Sequence, residues 1–155
     1  MKVSKLLFLV VLFAFFASCS KEDDTKEPEF VQEYSFTIDG TNYTFSDFKV
    51  DTTYLKDDNR VFISKKDGDN TFNLNFPLDL AIGLHGMDWN DGGVFFFMRI
   101  PKGDFFTLDN VMSVINVTSI DTKNRTISAT FKGIGAQGLG TKTAVITNGV
   151  LKARY

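Results

Sequence analysis

From Tyr34 onward the chain alternates apolar and polar residues in short runs separated by turn signals, a period of two that predicts strands. Tyr34-Ser-Phe-Thr-Ile38 alternates, Asp39-Gly40 is a strong hairpin signal, and Asn42-Tyr-Thr-Phe45 resumes the pattern. Phe48–Tyr54 is a further strand candidate. Arg60-Val-Phe-Ile-Ser64 and Thr71-Phe-Asn-Leu-Asn-Phe76 flank the polar turn Asp67-Gly-Asp-Asn70. In the second of these runs Phe72, Leu74 and Phe76 point one way while Thr71, Asn73 and Asn75 point the other. Leu78–Leu84 and Val94–Ile100 are apolar on both faces, which predicts central or doubly covered strands; a short helix is the alternative for Leu78–Leu84. Pro101-Lys-Gly-Asp104 breaks the chain, and Phe105–Leu108, Val111–Ile120, Arg125–Ile134, Thr143–Thr147 and Val150–Tyr155 complete the set. Roughly ten short strands with a turn every 8–12 residues predict an all-β fold, an antiparallel β-sandwich or a barrel-like domain.

The first residues follow a different pattern. Two lysines in Met1-Lys-Val-Ser-Lys5 precede the apolar run Leu6–Ala17, then small residues at Ala17 and Ser18, then Cys19. As a helix that run would span about 18 Å at ~1.5 Å per residue, short of the ~30 Å hydrocarbon core of a bilayer. A basic start, a short apolar stretch and small residues make a secretory signal, here over residues 1–18. Phe16-Ala-Ser-Cys19 resembles the lipobox of bacterial lipoproteins, whose cysteine takes a diacylglycerol on sulfur and becomes the first mature residue. Phe16 stands where Leu, Val or Ile is usual, a departure tolerated in lipoproteins of the Bacteroidota. The resemblance implies lipidation of Cys19; one buried acyl chain holds weakly, and two or more hold firmly.

Ser20 to Gln32 is nearly free of apolar residues and cannot bury enough surface to order itself, so residues 19–32 are expected to form a lipidated flexible tether and 33–155 a single domain. Lys21-Glu-Asp-Asp24 resembles the acidic signal that sends Bacteroidota lipoproteins to the cell surface; an acidic linker without a sorting role is the plainer reading. The expected location is the outer membrane, lipid-anchored and facing the exterior.

Charge and cysteine content narrow the function classes. The 155 residues carry a formal charge of −2, and loss of Lys2 and Lys5 with the leader makes the remainder more acidic. With no basic cluster, nucleic acid is excluded as an expected partner. Lipidation consumes the one cysteine, leaving no disulfide, thiol nucleophile or cysteine metal site. The 17 phenylalanines suit a β core, where aromatic side chains fill half-buried pleats.

Val117-Thr-Ser-Ile-Asp121, Arg125-Thr-Ile-Ser-Ala-Thr-Phe131 and Ala144-Val-Ile-Thr-Asn-Gly-Val150 are similar to the closing segments of a group of uncharacterised Bacteroidota lipoproteins. That family carries an I-T-x-x-D, I-S-G-T-F, I-T-N-G-x-F pattern. Ala129 stands where the pattern has Gly, and Val150 or Leu151 where it has Phe. Phe36-Thr-Ile-Asp-Gly40 resembles the family's first hairpin. The motifs are structural: Thr147-Asn-Gly149 fits a turn that needs positive φ, and Ile127, Ala129 and Phe131 fit one buried face. The likeness implies fold and address, and no activity.

Candidate chemistry concentrates in Gly83-Leu-His-Gly-Met-Asp-Trp-Asn-Asp-Gly-Gly93, which holds the chain's single His and single Trp. Read as a surface loop, it offers the flat face of Trp89 beside Asp88, Asn90 and Asp91, a set that suits the C–H face and hydroxyls of a sugar, with His85 adjacent. The competing reading is that Trp89 folds inward as a plug. No G-x-S-x-G or comparable frame surrounds a serine, so His85 as a catalytic base is unsupported and no enzyme is expected. Asp88 and Asp91 as a glycosidase pair rest on nothing beyond an acidic loop. Asp67-Gly-Asp-Asn70 and Asp88-Trp-Asn-Asp-Gly92 lack the full spacing of a calcium loop, so no metal is expected.

Gly133-Ile-Gly-Ala-Gln-Gly138 matches G-x-G-x-x-G without a following helix and reads as a hairpin loop, so no cofactor is expected either. Asp51-Thr52-Thr53 resembles the short O-glycosylation signal of Bacteroidota envelope proteins and marks Thr52. The expected role is a binding module for a glycan or envelope polymer. The alternatives are a structural accessory subunit of an outer-membrane complex, with a protein partner, and last a hydrolase.

Overall fold

The computed structural model describes residues 29–52, 60–87, 93–107, 112–137 and 142–155. These residues contain eleven strands and no helix. In chain order the strands are β1 (Glu33–Ile38), β2 (Thr41–Phe45), β3 (Lys49–Asp51), β4 (Arg60–Asp67), β5 (Asn70–Pro77), β6 (Gly83–Gly86), β7 (Phe95–Ile100), β8 (Gly103–Thr107), β9 (Val114–Asp121), β10 (Thr126–Gln137) and β11 (Lys142–Arg154). They form one antiparallel sheet in the order β2-β1-β11-β10-β8-β7-β5-β4-β3. β9 pairs with the first half of β10, on the same edge that β8 occupies farther along, and β6 pairs with β9.

This order forces the sheet to curl. Laid flat, nine strands at about 4.8 Å spacing would hold β2 and β3 roughly 38 Å apart. Yet these outermost strands are consecutive in the chain, joined by Ser46–Phe48, which reaches no more than about 14 Å. The sheet therefore bends into a half-barrel. The closing side is tied by Lys65 of β4: its ammonium lies 5.2 Å from the centre of the Phe45 ring of β2 and donates to the Asp47 carbonyl and carboxylate at 2.9 and 2.8 Å.

The concave face is the core. Tyr34, Phe36 and Ile38 of β1 enter it at alternate positions. Phe36 lies edge-on to Phe72 of β5 at 5.0 Å and to Phe96 of β7 at 5.3 Å, so rings from distant parts of the sheet meet across the curl. Tyr34 touches Phe36, Phe48 and Phe96 in the same edge-to-face manner. Its hydroxyl is buried with no hydrogen-bond partner among the described residues, and burial pushes its ionisation far above the ordinary range.

The turns use the expected chemistry. Asp39 and Gly40 both have positive φ, 47° and 84°, as the two-residue β1–β2 hairpin requires. Asp39 also secures that hairpin to β11: its amide donates to the Val145 carbonyl at 3.0 Å, its carboxylate accepts from the Val145 amide at 2.9 Å, and Lys102 donates to it at 2.8 Å. Asp67-Gly-Asp-Asn70 is the β4–β5 hairpin turn.

Several expectations change. Phe48–Tyr54 contributes the three-residue strand β3, and Thr53 to Tyr54 lie outside the described residues. Leu78–Leu84 is neither a central strand nor a helix: Leu78, Ile82 and Leu84 are exposed, and its last two residues begin the short strand β6. Asn73 and Asn75 do point away from the inward row of Phe72, Leu74 and Phe76, but they are buried too, because the convex face is covered there. Asn75 sits in register between Phe62 and Phe95, and Asn73 beside Phe97, whose ring lies 4.7 Å from that of Phe106. Arg60 donates to Asn75 Oδ1 and to the Gly93 carbonyl, with its guanidinium 5.8 Å from the centre of the Phe95 ring.

The G-x-G-x-x-G run is a strand rather than a loop through Gln137; Gly138 lies outside the described residues. Its glycines answer to packing, since a Cβ on Gly135 would stand 2.8 Å from the Met98 methyl and 3.2 Å from Phe105 Cβ. Thr143–Thr147 and Val150–Tyr155 are halves of one strand, and Thr147-Asn-Gly149 is a bulge within it.

Two outcomes test this fold. Tyr34→Phe removes a hydroxyl that has no partner among the described residues and should leave stability unchanged or raise it by up to about 1 kcal/mol, read as a urea midpoint. Asp39→Asn keeps an acceptor for Val145 and the turn geometry but loses the ion pair. The Lys102 ammonium, and then the Val145 amide, hold the Asp39 carboxyl below the usual range, so its contribution is present near neutrality and disappears as pH falls through that depressed value. The variant should therefore denature earlier than wild type at neutral pH, with the gap closing as pH falls below the ordinary carboxylate range.

Candidate functional site

The bulge in β11 is a response to its own sequence. Ala144 and Ile146 are buried before it, and Gly149, Leu151 and Ala153 after it, so the inward parity changes from even to odd numbers. A regular strand would turn one of those sets to solvent. One extra residue restores both: β10 pairs Phe131 with Gly149 and then Gly133 with Ile146, and β1 pairs Ser35 with Val150 and then Thr37 with Thr147. Thr147 and Asn148 consequently both face outward, with Asn148 at φ 52°, a left-handed conformation that asparagine tolerates better than most residues. Gly149 has no room for a side chain, since a Cβ there would run into the Phe131 carbonyl oxygen and ring.

Beside this bulge the convex face holds an open groove of about 440 Å³. Two cross-strand rows line it. Leu84, Asn116, Thr130 and Val150 are in direct register across β6, β9, β10 and β11. In the next row Val114 pairs with Lys132, which faces the bulge carrying Asn148. Rows on one face stand about 7 Å apart along the strands, and neighbours within a row about 5 Å. The walls thus combine aliphatic surface with two amides, a hydroxyl and one ammonium.

Three apolar side chains on β6, β9 and the residues flanking them are exposed. Leu84 is 69% exposed, Ile82, two residues before it, 64%, and Met112, two residues before Val114, 60%. No three of His, Cys, Asp and Glu among the described residues group as metal ligands.

The sequence-marked stretch 83–93 divides. Gly83–Gly86 is strand rather than loop, and Met87 is buried, its amide donating to the Ser113 carbonyl at 2.8 Å. Leu84 lines the groove, whereas His85 alternates to the opposite face, where its Nε2 lies 2.8 Å from the Ala81 carbonyl oxygen. A carbonyl only accepts, so that nitrogen carries the proton and donates. His85 is not brought to the groove. Asp88, Trp89, Asn90 and Asp91 lie outside the described residues, as does Cys19. Thr52 is half-buried in a bend after β3 and apart from the groove lining.

Sequence reasoning missed Asn116, Thr130, Lys132 and Asn148. The available signal was the parity change through Thr147-Asn-Gly149, which reads equally well as a turn. No family model, curated protein or solved structure matches the chain.

The bulge has a direct test. Asn148→Gly keeps the left-handed backbone and should hold stability within about 0.5 kcal/mol, whereas Asn148→Val should lose about 1–2 kcal/mol, measured by chemical denaturation.

Proposed function

We propose that this protein is a lipid-anchored binding module of a bacterial outer membrane, facing the exterior, whose groove takes a glycan or envelope polymer. The observation that carries the binding reading is the groove itself, where the bulge sets Asn148 outward beside Asn116, Thr130 and Lys132 over aliphatic walls. Amides and hydroxyls exchange hydrogen bonds with sugar hydroxyls, and Leu84, Val114 and Val150 accept the C–H faces of the rings. An open groove on a strand face suits an extended chain better than a small enclosed molecule.

The anchor rests on the lipobox likeness at Cys19, and the surface address on Lys21-Glu-Asp-Asp24, in keeping with the similarity to uncharacterised Bacteroidota lipoproteins. Trp89, Asp88, Asn90 and Asp91 stay candidates in this reading on their chemistry alone, an aromatic face beside carboxylates and an amide.

A second reading draws on a specific feature: exposed Ile82, Leu84 and Met112 suit an accessory subunit that docks on an envelope protein complex. The two separate by experiment. The full chain should fractionate with membranes and Cys19→Ser should release it. A glycan array should give saturable binding, weakened roughly tenfold by Asn116→Ala and by Trp89→Ala. Binding to no glycan, together with recovery of a stoichiometric protein complex after mild solubilisation, would favour the accessory role.

A further inference from the structure

Resting on the glycan reading, we infer that the groove selects carboxylated saccharides, with Lys132 as the ion partner of a uronic or sialic acid carboxylate. The chain as a whole is acidic, yet no carboxylate stands among the described residues that line the groove, and Lys132 is the one cation among them. Four other ammonium or guanidinium groups on the surface are already neutralised: Lys65 by Asp47, Arg99 by Asp104, Lys102 by Asp39 and Lys152 by Glu33. Lys132 forms no ion pair among the described residues and is exposed. Among the described residues the groove lining therefore carries one positive charge and no negative one, so an anion bound there meets an ammonium with no competing carboxylate in the wall.

The arrangement fits a carboxylate better than a phosphate. A singly charged planar carboxylate is balanced by one ammonium, and an amide donor beside it satisfies a remaining lone pair. Asn148, across the bulge from Lys132, supplies that amide. A phosphate dianion would call for further cations or a nest of backbone N–H groups. About 7 Å along the strands, Thr130 and Asn116 stand ready for hydroxyls of the same or the adjoining ring. Val114 and Val150 border the two rows with aliphatic surface.

The test is calorimetric titration of the full chain, in mild detergent, with an oligogalacturonate and with the neutral oligogalactoside of equal length. The acidic oligomer should bind about tenfold more tightly, and its advantage should shrink as salt is added. Lys132→Gln should bring the two oligomers to equal affinity, Lys132→Arg should retain the acidic preference, and Lys66→Gln, on an exposed residue outside the groove lining, should change nothing. Equal affinity of the wild-type chain for the two oligomers, or an acidic preference that survives Lys132→Gln, overturns the inference and leaves the glycan reading standing. Binding of neither oligomer, nor of any glycan on the array, overturns both.

Discussion

Everything in this domain depends on closing the sheet with a three-residue link. Because Ser46–Phe48 joins the outermost strands, the sheet must curl, and a curled sheet has an inside that must be filled. Aromatic rings fill it: Phe36 reaches both Phe72 and Phe96, strands away in the sheet order, and Tyr34 packs on Phe48 of the link itself. Chain connectivity and side-chain size thus solve one problem together. Smaller residues would leave voids at the axis of the curl, and a longer link would relax the demand for closure.

The same closure explains the bulge. β11 lies between β1 and β10 and must match both over thirteen residues while presenting a continuous inward face to the core. Its sequence changes parity at Thr147–Asn148, and the extra residue absorbs the mismatch against both neighbours at once. The cost of a left-handed residue is small for asparagine and offset by the apolar side chains kept inside on either side. A functional consequence follows from the same geometry, since a bulge turns two consecutive side chains outward where a regular strand turns one. The groove forms where that irregularity meets Lys132.

The convex face divides into two regions of different character. Across β4, β5, β7 and β8 it carries Phe62, Phe95, Phe97 and Phe106 around Asn73 and Asn75, a covered surface in which Arg60 is held by hydrogen bonds and an aromatic ring. Across β6, β9, β10 and β11 it carries two amides, a hydroxyl and a lysine among aliphatic side chains. One face of a single sheet therefore serves as a second, smaller packing layer on one side and an open groove on the other.

The order of apolar and polar residues determined the fold class, most strand positions, the Asp39-Gly40 hairpin and the inward rows Tyr34-Phe36-Ile38 and Phe72-Leu74-Phe76, because these follow from local steric preference and a period of two. It also carried the leader-like start and the lipobox likeness at Cys19, which are local signals by nature. Only the tertiary structure decided that Leu78, Ile82 and Leu84 are exposed despite the apolar composition of their segment, that Gly133 and Gly135 lie in a strand with neighbouring side chains packed close against them, and that Thr147-Asn-Gly149 is a bulge rather than a turn. It alone set Asn116, Thr130, Lys132 and Asn148 side by side while turning His85 away from them. Those facts depend on which strands become neighbours, and strand pairing between residues far apart in the chain is fixed by the packing of the whole sheet rather than by any window of sequence.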